Sequence, residues 1–310
     1  MRIFFFGTPD FAIPSLNALM ESGEDIVGVV SQPDRLKGRG HKLSRPPVKE
    51  FAILHGIPVM QPPDIKTPSF FEELSAQSPE IIIVVAYGKL IPPDILRLPP
   101  MGCINVHASL LPEYRGAAPI QRALINGETV TGVTTMFMDE GLDTGDILLQ
   151  EETVINSEDN AYTLGLKLAG IGAALLVRTL DGLRDNSVQR RPQTGEPSYA
   201  PVLKKDDGRI DWSLPAKKIL DLIRGTYPWP GSYCYFNKER ISVIGAKLID
   251  TDTQSTPGMI IKITGNGLHI GTGKGIISLL EVKPEGRKPM SGRAFANGRC
   301  LRELMILDAI

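Results

Sequence analysis

Glu80 to Ala86 reads EIIIVVA, five β-branched residues in a row between a glutamate and an alanine. A strand with one wet face alternates apolar and polar residues; this run has no polar position, so it belongs in a parallel sheet covered on both faces. Tyr87, Gly88 and Lys89 follow at its carboxyl end, where open α/β sheets place their ligands. Outward from this run the pattern repeats. Ile3 to Phe6 is an apolar run ending in Gly7, with Thr8 as candidate cap and Pro9 opening a helix through Met20. Asp25 to Ser31 reads as a strand, Val48 to His55 as a helix, Ile57 to Met60 as a short strand and Ser69 to Ser78 as a helix. Downstream, Gly102 to Val106, Thr131 to Met138 and Asp146 to Ile155 read as strands, Ala118 to Ile125 as a helix, and Asp159 to Leu183 as a long helix capped by Ser157 or Asp159. The expected fold is α/β, with a doubly wound, mainly parallel sheet.

The chemistry collects at the same sheet edge. GCINVHASLLPEYRG, Gly102 to Gly116, puts Asn105 and His107 two residues apart on an extended run, so both side chains leave one face. An amide donor beside an imidazole suits acyl transfer. MDEGLDTGDIL, Met138 to Leu148, adds Asp143 between Gly141 and Gly145, glycines able to bend its carboxylate back towards the imidazole. Singly, each residue also reads as an ordinary turn former or a satisfied polar group. Together, and with the intact SLLPEYRG run stiffened by Pro112, they are the candidate catalytic group.

Composition narrows the classes. The 310 residues are 42% hydrophobic and 22% charged, as in a soluble globular protein, and suggest two domains. No uninterrupted apolar run approaches the ~20 residues of a membrane span. MRIFFFGTPD reads as a first strand and not a signal peptide, because Gly7, Pro9 and Asp10 follow at once. The opening resembles a nucleotide-binding fold, but GTPDFA has one glycine where the dinucleotide fingerprint needs three, which disfavours NAD. Cys103, Cys234 and Cys300 give neither a disulfide framework nor a zinc spacing, so no metal is expected and the setting is read as reducing and cytoplasmic. Cys103 shares a strand face with His107; a buried structural thiol is favoured over a Cys/His nucleophile.

Gln32 to Pro47, QPDRLKGRGHKLSRPP, is a long basic loop, either a binding loop or a disordered insertion, whose Lys37, Arg39, Lys42 and Arg45 suit phosphate. VQRRPQTGEPSYAP, from Val188, holds three prolines and no apolar period and reads as an interdomain linker. The division is residues 1–189, a linker over 190–203, and 204–310. Beyond the linker a helix at Pro215 to Arg224 precedes short strands at Ser232 to Phe236, Arg240 to Leu248, Gly258 to Thr264, Gly267 to Gly271 and Gly275 to Glu281, the spacing of a small OB-like barrel. From Lys204 on there are 17 Lys and Arg against 11 Asp and Glu, net +6, leaving 17 against 24, net −7, for the first part. A basic second domain beside an acidic first one is compatible with a polyanionic partner, although composition alone favours an ordinary solvated surface.

Six stretches carry a family resemblance: FGTPDFA (Phe6 to Ala12), QPDRLKGRGHKL (Gln32 to Leu43), VVAYGKLIP (Val84 to Pro92), INVHASLLPEYRGAAPIQRAL (Ile104 to Leu124), MDEGLDTGDIL and DGRIDWS (Asp207 to Ser213). By these the chain resembles the 10-formyltetrahydrofolate-dependent formyltransferases and, over essentially its whole length, their methionyl-tRNA branch. The resemblance implies a Rossmann-like formyltransferase domain and a C-terminal tRNA-binding barrel, with 10-formyltetrahydrofolate as donor and the α-amino group of methionyl initiator tRNA as acceptor. It implies Asn105, His107 and Asp143 as catalytic residues. Folate would meet Ser109, Leu110, Leu111 and Pro112, with Val84, Ala86, Tyr87, Gly88 and Asp139 forming the pterin pocket; plain core packing is the other reading of Leu110 and Leu111. The tRNA would meet Lys37, Arg39, Lys42 and Arg45 in the basic loop, and Lys204, Lys205, Arg287, Lys288 and Arg293 in the barrel. A monomer without membrane attachment is expected. A formyltransferase for glycinamide ribonucleotide or an amino sugar nucleotide would share the catalytic group but has no evident use for the basic loop and barrel. A nonenzymatic RNA-binding protein would not need all three residues.

Overall fold

The computed structural model describes residues 1–37 and 42–308. Arg39 lies outside the described residues, as do the side chains of Lys37 and Lys42. The first strands are β1 (Arg2–Gly7), β2 (Asp25–Val30), β3 (Arg35–Lys37), β4 (Lys42–Ser44), β5 (Val59–Met60), β6 (Ile81–Val85), β7 (Cys103–His107), β8 (Val130–Phe137) and β9 (Ile147–Val154). Between them run α1 (Ile13–Glu21), α2 (Pro47–Leu54), α3 (Pro68–Ala76), α4 (Pro93–Leu96) and α5 (Pro119–Asn126), with α6 (Ala161–Arg184) after β9. One sheet has the order β5-β2-β1-β6-β7-β8-β9. It is parallel from β5 to β7 and antiparallel across β7, β8 and β9.

The Ile81–Val85 run is buried at every position, as a central strand requires. On one face Phe4, Phe6, Ile82, Val84 and Cys103 pack with Phe70 and Leu74 of α3 and Ile95 of α4. On the other face α6 passes so near that a Cβ on Gly172 would lie 2.8 Å from Val106 Cγ1, and the Thr135 and Thr179 hydroxyls bond at 2.8 Å. By length and composition α6 could cross a membrane, and half of its apolar window is buried inside the protein.

The chain folds into two compact units, one of Met1–Pro119, Val130–Val154 and Gly165–Pro201, the other of Ile120–Thr129, Ile155–Leu164 and the chain from Val202 on. The second unit carries α7 (Ala216–Thr226), β10 (Ser232–Phe236), β11 (Glu239–Asp250), β12 (Ile260–Ile263), β13 (Leu268–Gly271), β14 (Ile276–Pro284), β15 (Met290–Ser291) and α8 (Gly292–Gly298). Its antiparallel sheet has the order β10-β11-β14-β13-β12, with β15 on β14, compatible with the small barrel expected. Trp212, Ile219 and Ile223 pack with Cys234, Ile241, Ile260, Leu279 and Phe295 in its core. Asp308 ties the tail down, accepting from Trp212 Nε1 at 3.1 Å and from the Tyr235 N–H at 2.8 Å. Burial pushes its carboxyl above the usual range, against the pull of these two bonds.

Several local readings change. Thr8 is no helix cap: its hydroxyl donates to the Tyr87 carbonyl at 3.0 Å, and α1 starts at Ile13 with a proline in its first turn. The long basic loop holds a hairpin, β3 against β4. Neither Ser157 nor Asp159 caps α6. Asn160 Oδ1 does, accepting from the Tyr162 N–H at 2.9 Å and the Thr163 N–H at 3.0 Å. The stretch read as a linker is itself paired, Arg191 with Ile147 and Tyr199 with Arg115.

Candidate active site

Parallel pairing brings the carboxyl ends of β1, β6 and β7 to one edge, with Gly7 opposite Val85 and Val84 opposite Asn105. There Asn105, His107 and Asp143 meet. Asn105 Nδ2 donates to Asp143 Oδ1 at 3.4 Å, and His107 Nδ1 stands 3.7 Å from Asp143 Oδ2. His107 is buried and the Asp143 side chain is 13% exposed. The other imidazole nitrogen, Nε2, lies 3.0 Å from the Tyr114 carbonyl oxygen. A carbonyl only accepts, so Nε2 carries the proton and Nδ1 is the open nitrogen beside the carboxylate.

The bend that brings Asp143 back is in Asp143 itself, at φ +52°, and not in Gly141 or Gly145. Gly145 serves close approach instead: a Cβ there would lie 1.8 Å from the Phe137 carbonyl oxygen. Asp143 Oδ2 also accepts from the Gly116 N–H at 2.8 Å, which joins the two sequence motifs directly. Under the SLLPEYRG loop Thr134 Oγ1 donates to the Ser109 carbonyl at 2.7 Å and accepts from the Leu111 N–H at 3.1 Å. Gln150 Nε2 donates to the Leu111 carbonyl at 2.9 Å and to Thr134 Oγ1 at 3.0 Å.

Ser109 is buried, with its hydroxyl donating to the Glu113 carbonyl at 2.6 Å. Leu111 packs with Met136 and Ile147, and Leu110 against Gly132. Leu111 is buried, while Leu110 and Pro112 beside it are half-buried. Val84 and the Tyr87 ring lie in the sheet core, while Ala86 at φ +48° and Gly88 at φ +84° are exposed. Tyr87 Oη is buried without a hydrogen-bond partner among the described residues, and burial pushes its pKa up to about 12. Asp139 is turned into its own loop, accepting from Thr144 Oγ1 at 2.6 Å and the Gly141 N–H at 3.0 Å.

Next to these loops is a cavity of about 590 Å³ whose lining includes Phe71, Leu90, Ile91 and Ile95, with Lys66, Asp94 and Glu140 as its charged members. The sequence reading stopped at Gly88 and missed this wall. Cys103 donates weakly to the Ile95 and Leu96 carbonyls, and burial holds its thiol at about 12, so it is a structural thiol. Among the described residues no cluster of three metal-ligating side chains occurs.

The basic residues are spread out. Arg45 is exposed at the foot of the hairpin, near Asp34, which pairs with Lys49 at 2.9 Å. Lys204 and Lys205 are exposed where a 3₁₀ turn begins, and Arg287 and Lys288 are exposed between β14 and β15. Arg293 is exposed on the first turn of α8 and reaches the Thr264 carbonyl at 3.4 Å.

Sequence reasoning passed over Gln193 altogether. Its Nε2 donates to the Asp143 and Gly145 carbonyls, both at 2.8 Å, and its Oε1 accepts from Arg115 Nη2 at 2.6 Å. No periodicity marks it, since it lies in a polar, proline-rich stretch. Thr134 did leave a sign, as one of two consecutive polar residues in a strand that is otherwise buried.

The formyl transferase family model matches residues 1–180, and the model of the formyl transferase C-terminal domain matches residues 202–300. A methionyl-tRNA formyltransferase of Thermodesulfovibrio yellowstonii is 52% identical over 303 residues, 98% of this chain and 97% of that protein. HypX of Aquifex aeolicus, solved with tetrahydrofolic acid, superposes with TM-score 0.67 at 16% identity over 96% of this chain, which spans about half, 47%, of that longer chain. The methionyl-tRNA formyltransferase of Clostridium thermocellum superposes with TM-score 0.56 at 19% identity, covering 80% of this chain and 94% of its own. At such identities the two structures speak for the fold; the end-to-end sequence match and the two domain models place this chain in the formyltransferase family, among the methionyl-tRNA formyltransferases.

Proposed function

We propose that this protein transfers the formyl group of 10-formyltetrahydrofolate to the α-amino group of methionyl initiator tRNA. The observation that carries the reading is the meeting of Asn105, His107 and Asp143 at the carboxyl edge of the sheet, in a chain about half identical to proteins of that name.

The folate is a co-substrate, and it supplies the activated formyl carbon. A cavity lined by Leu90, Ile91, Ile95 and Phe71, with Lys66, Asp94 and Glu140 as its charged members, suits a flat heteroaromatic ring. Glu140 is three residues from Asp143, so one loop serves the cavity and the catalytic group. On this reading Val84, Ala86, Tyr87, Gly88 and Asp139 act through backbone and loop shape, while Ser109, Leu110, Leu111 and Pro112 shape the floor from within.

Asn105 has two amide hydrogens. One faces Asp143 Oδ1, and the other is the donor for the oxygen that gains charge as the amine adds to the formyl carbon. The Tyr114 carbonyl fixes the Nε2–H tautomer of His107, leaving Nδ1 to take the amine proton and pass it to the departing folate nitrogen. Asp143 holds the imidazole and balances its charge while the proton is in transit.

The surface cations Lys37, Arg39, Lys42 and Arg45, with Lys204, Lys205, Arg287, Lys288 and Arg293, are assigned to the RNA backbone. The division into a catalytic part, 1–189, and an RNA-binding part, 204–310, follows from the same reading. On this reading the protein works as a monomer in the cytoplasm.

The test offers labelled 10-formyltetrahydrofolate with methionyl initiator tRNA, glycinamide ribonucleotide or an amino sugar nucleotide. Label on the tRNA alone is the expected result. Label on a small acceptor would keep the catalytic assignments and overturn the role given to the second unit.

A further inference from the structure

Three segments far apart in sequence meet at Asp143, and one was read as a mere connection. Residues 190–200 run across the two catalytic loops. Arg191 exchanges two backbone bonds with Ile147, at 2.8 and 2.9 Å, just after the Asp143 loop. Ser198 takes the next loop: its Oγ accepts from the Tyr114 N–H at 2.8 Å and its carbonyl from the Arg115 N–H at 2.9 Å. Ala200 donates to the Arg115 carbonyl at 2.7 Å and accepts from the Ala118 N–H at 3.0 Å.

Between these anchors Gln193 is the only residue of the segment whose side chain bonds to both loops among the described residues. Its amide donates one hydrogen to each of the Asp143 and Gly145 carbonyls and accepts from Arg115 Nε at 3.1 Å and Nη2 at 2.6 Å. Asp143 sits at φ +52°, in the left-handed region, a conformation that L-residues hold where surrounding contacts over-determine it. Two donors on the carbonyls flanking that turn are such contacts. The same turn aims the carboxylate at His107 Nδ1 and at Asn105 Nδ2.

We propose that Gln193 is a positioning residue for the transfer reaction: its amide holds the main chain of the Asp143 turn so that the carboxylate stays aligned with His107 and Asn105. The assignment rests on the function given above. Gln193 itself has no hydrogen bond to offer a substrate, because both amide hydrogens and the amide oxygen are already engaged by Asp143, Gly145 and Arg115.

Two variants dissect the amide. Gln193→Met keeps the length and removes every hydrogen bond. Gln193→Glu keeps an acceptor for Arg115 but sets carboxylate oxygens against two carbonyl oxygens. Misplacing catalytic groups by about 1 Å costs about 100-fold in rate, and losing an outer supporting group about 10-fold or more. Both variants should therefore lose about 10- to 100-fold in kcat, while KM for 10-formyltetrahydrofolate stays within about twofold. The side-chain NMR signals of His107 and Asn105 should move in both, and those of His269 should not. Wild-type kcat in Gln193→Met, or wild-type kcat in Gln193→Glu, overturns the assignment; should the Met variant fail to fold, the Glu variant decides alone. If the wild-type protein transfers no formyl group to methionyl-tRNA, the reading of function fails. The NMR signals then decide the positioning role by themselves, and unmoved His107 and Asn105 signals overturn it.

Discussion

On the proposed function, single residues at the sheet edge divide into groups that do chemistry and groups that hold them. Asn105→Ala should lower turnover about 100- to 1,000-fold, the usual loss for one oxyanion donor, with tRNA affinity unchanged in a filter-binding assay. Tyr87 makes the opposite case. Its hydroxyl is buried and unpartnered among the described residues, so Tyr87→Phe should stabilise the fold by about 1 kcal/mol in urea titration without weakening folate binding. Its pH dependence has a definite sign. The folded pKa, about 12, lies above the ordinary 10.0, so the neutral phenol favours the native state fully below pH 10, and that contribution is lost as pH rises towards 12. The alkaline fall in stability should accordingly be shallower in the Phe variant. At this scale the sequence was legible where two side chains share a strand, as Asn105 and His107 do. It was silent on Gln193, whose partners lie about 50 and 78 positions away.

Elements were legible wherever burial wrote a periodic pattern. β6 and α6 follow from their apolar runs, with ends within a few residues of those expected. Caps and hairpins were not, because they depend on partners that only tertiary structure supplies. Thr8 looks like a cap by type, yet its hydroxyl serves the Tyr87 carbonyl across the sheet. β15 and α8 carry too little apolar pattern to be seen, the strand being two residues long. Two predictions belong here. Gly145→Ala places a Cβ on the Phe137 carbonyl, so the turn must open; transfer should be lost and the melting temperature should fall by several degrees. Thr134→Val strips the hydroxyl shared by Ser109, Leu111 and Gln150 and should destabilise by about 1–3 kcal/mol in urea titration, with activity falling alongside.

Across the whole molecule, charge and anchoring act at longer range. If the second unit meets RNA through its surplus of cations, the double variant Arg287→Glu, Lys288→Glu should raise KM for tRNA and flatten its salt dependence, leaving KM for folate as it was. Asp308 gives that unit a separate pH response. Its folded pKa is raised, so its contribution is fully present below the ordinary 3.8 and fades as pH rises through the higher folded value. The stability difference between wild type and Asp308→Asn should decline over that interval when followed by thermal melts at stepped pH. The discontinuous make-up of the two units bears on how the protein is made. Segments 120–129 and 155–164 leave the ribosome well before the rest of their unit, from Val202 on, has been synthesised, whereas every piece of the first unit is out once Pro201 emerges. The first unit can therefore close during translation, while the second waits for Asp308, which fastens Trp212 and Tyr235. A ribosome stalled between Pro201 and Asp308 would carry a closed first unit on an unfinished second one.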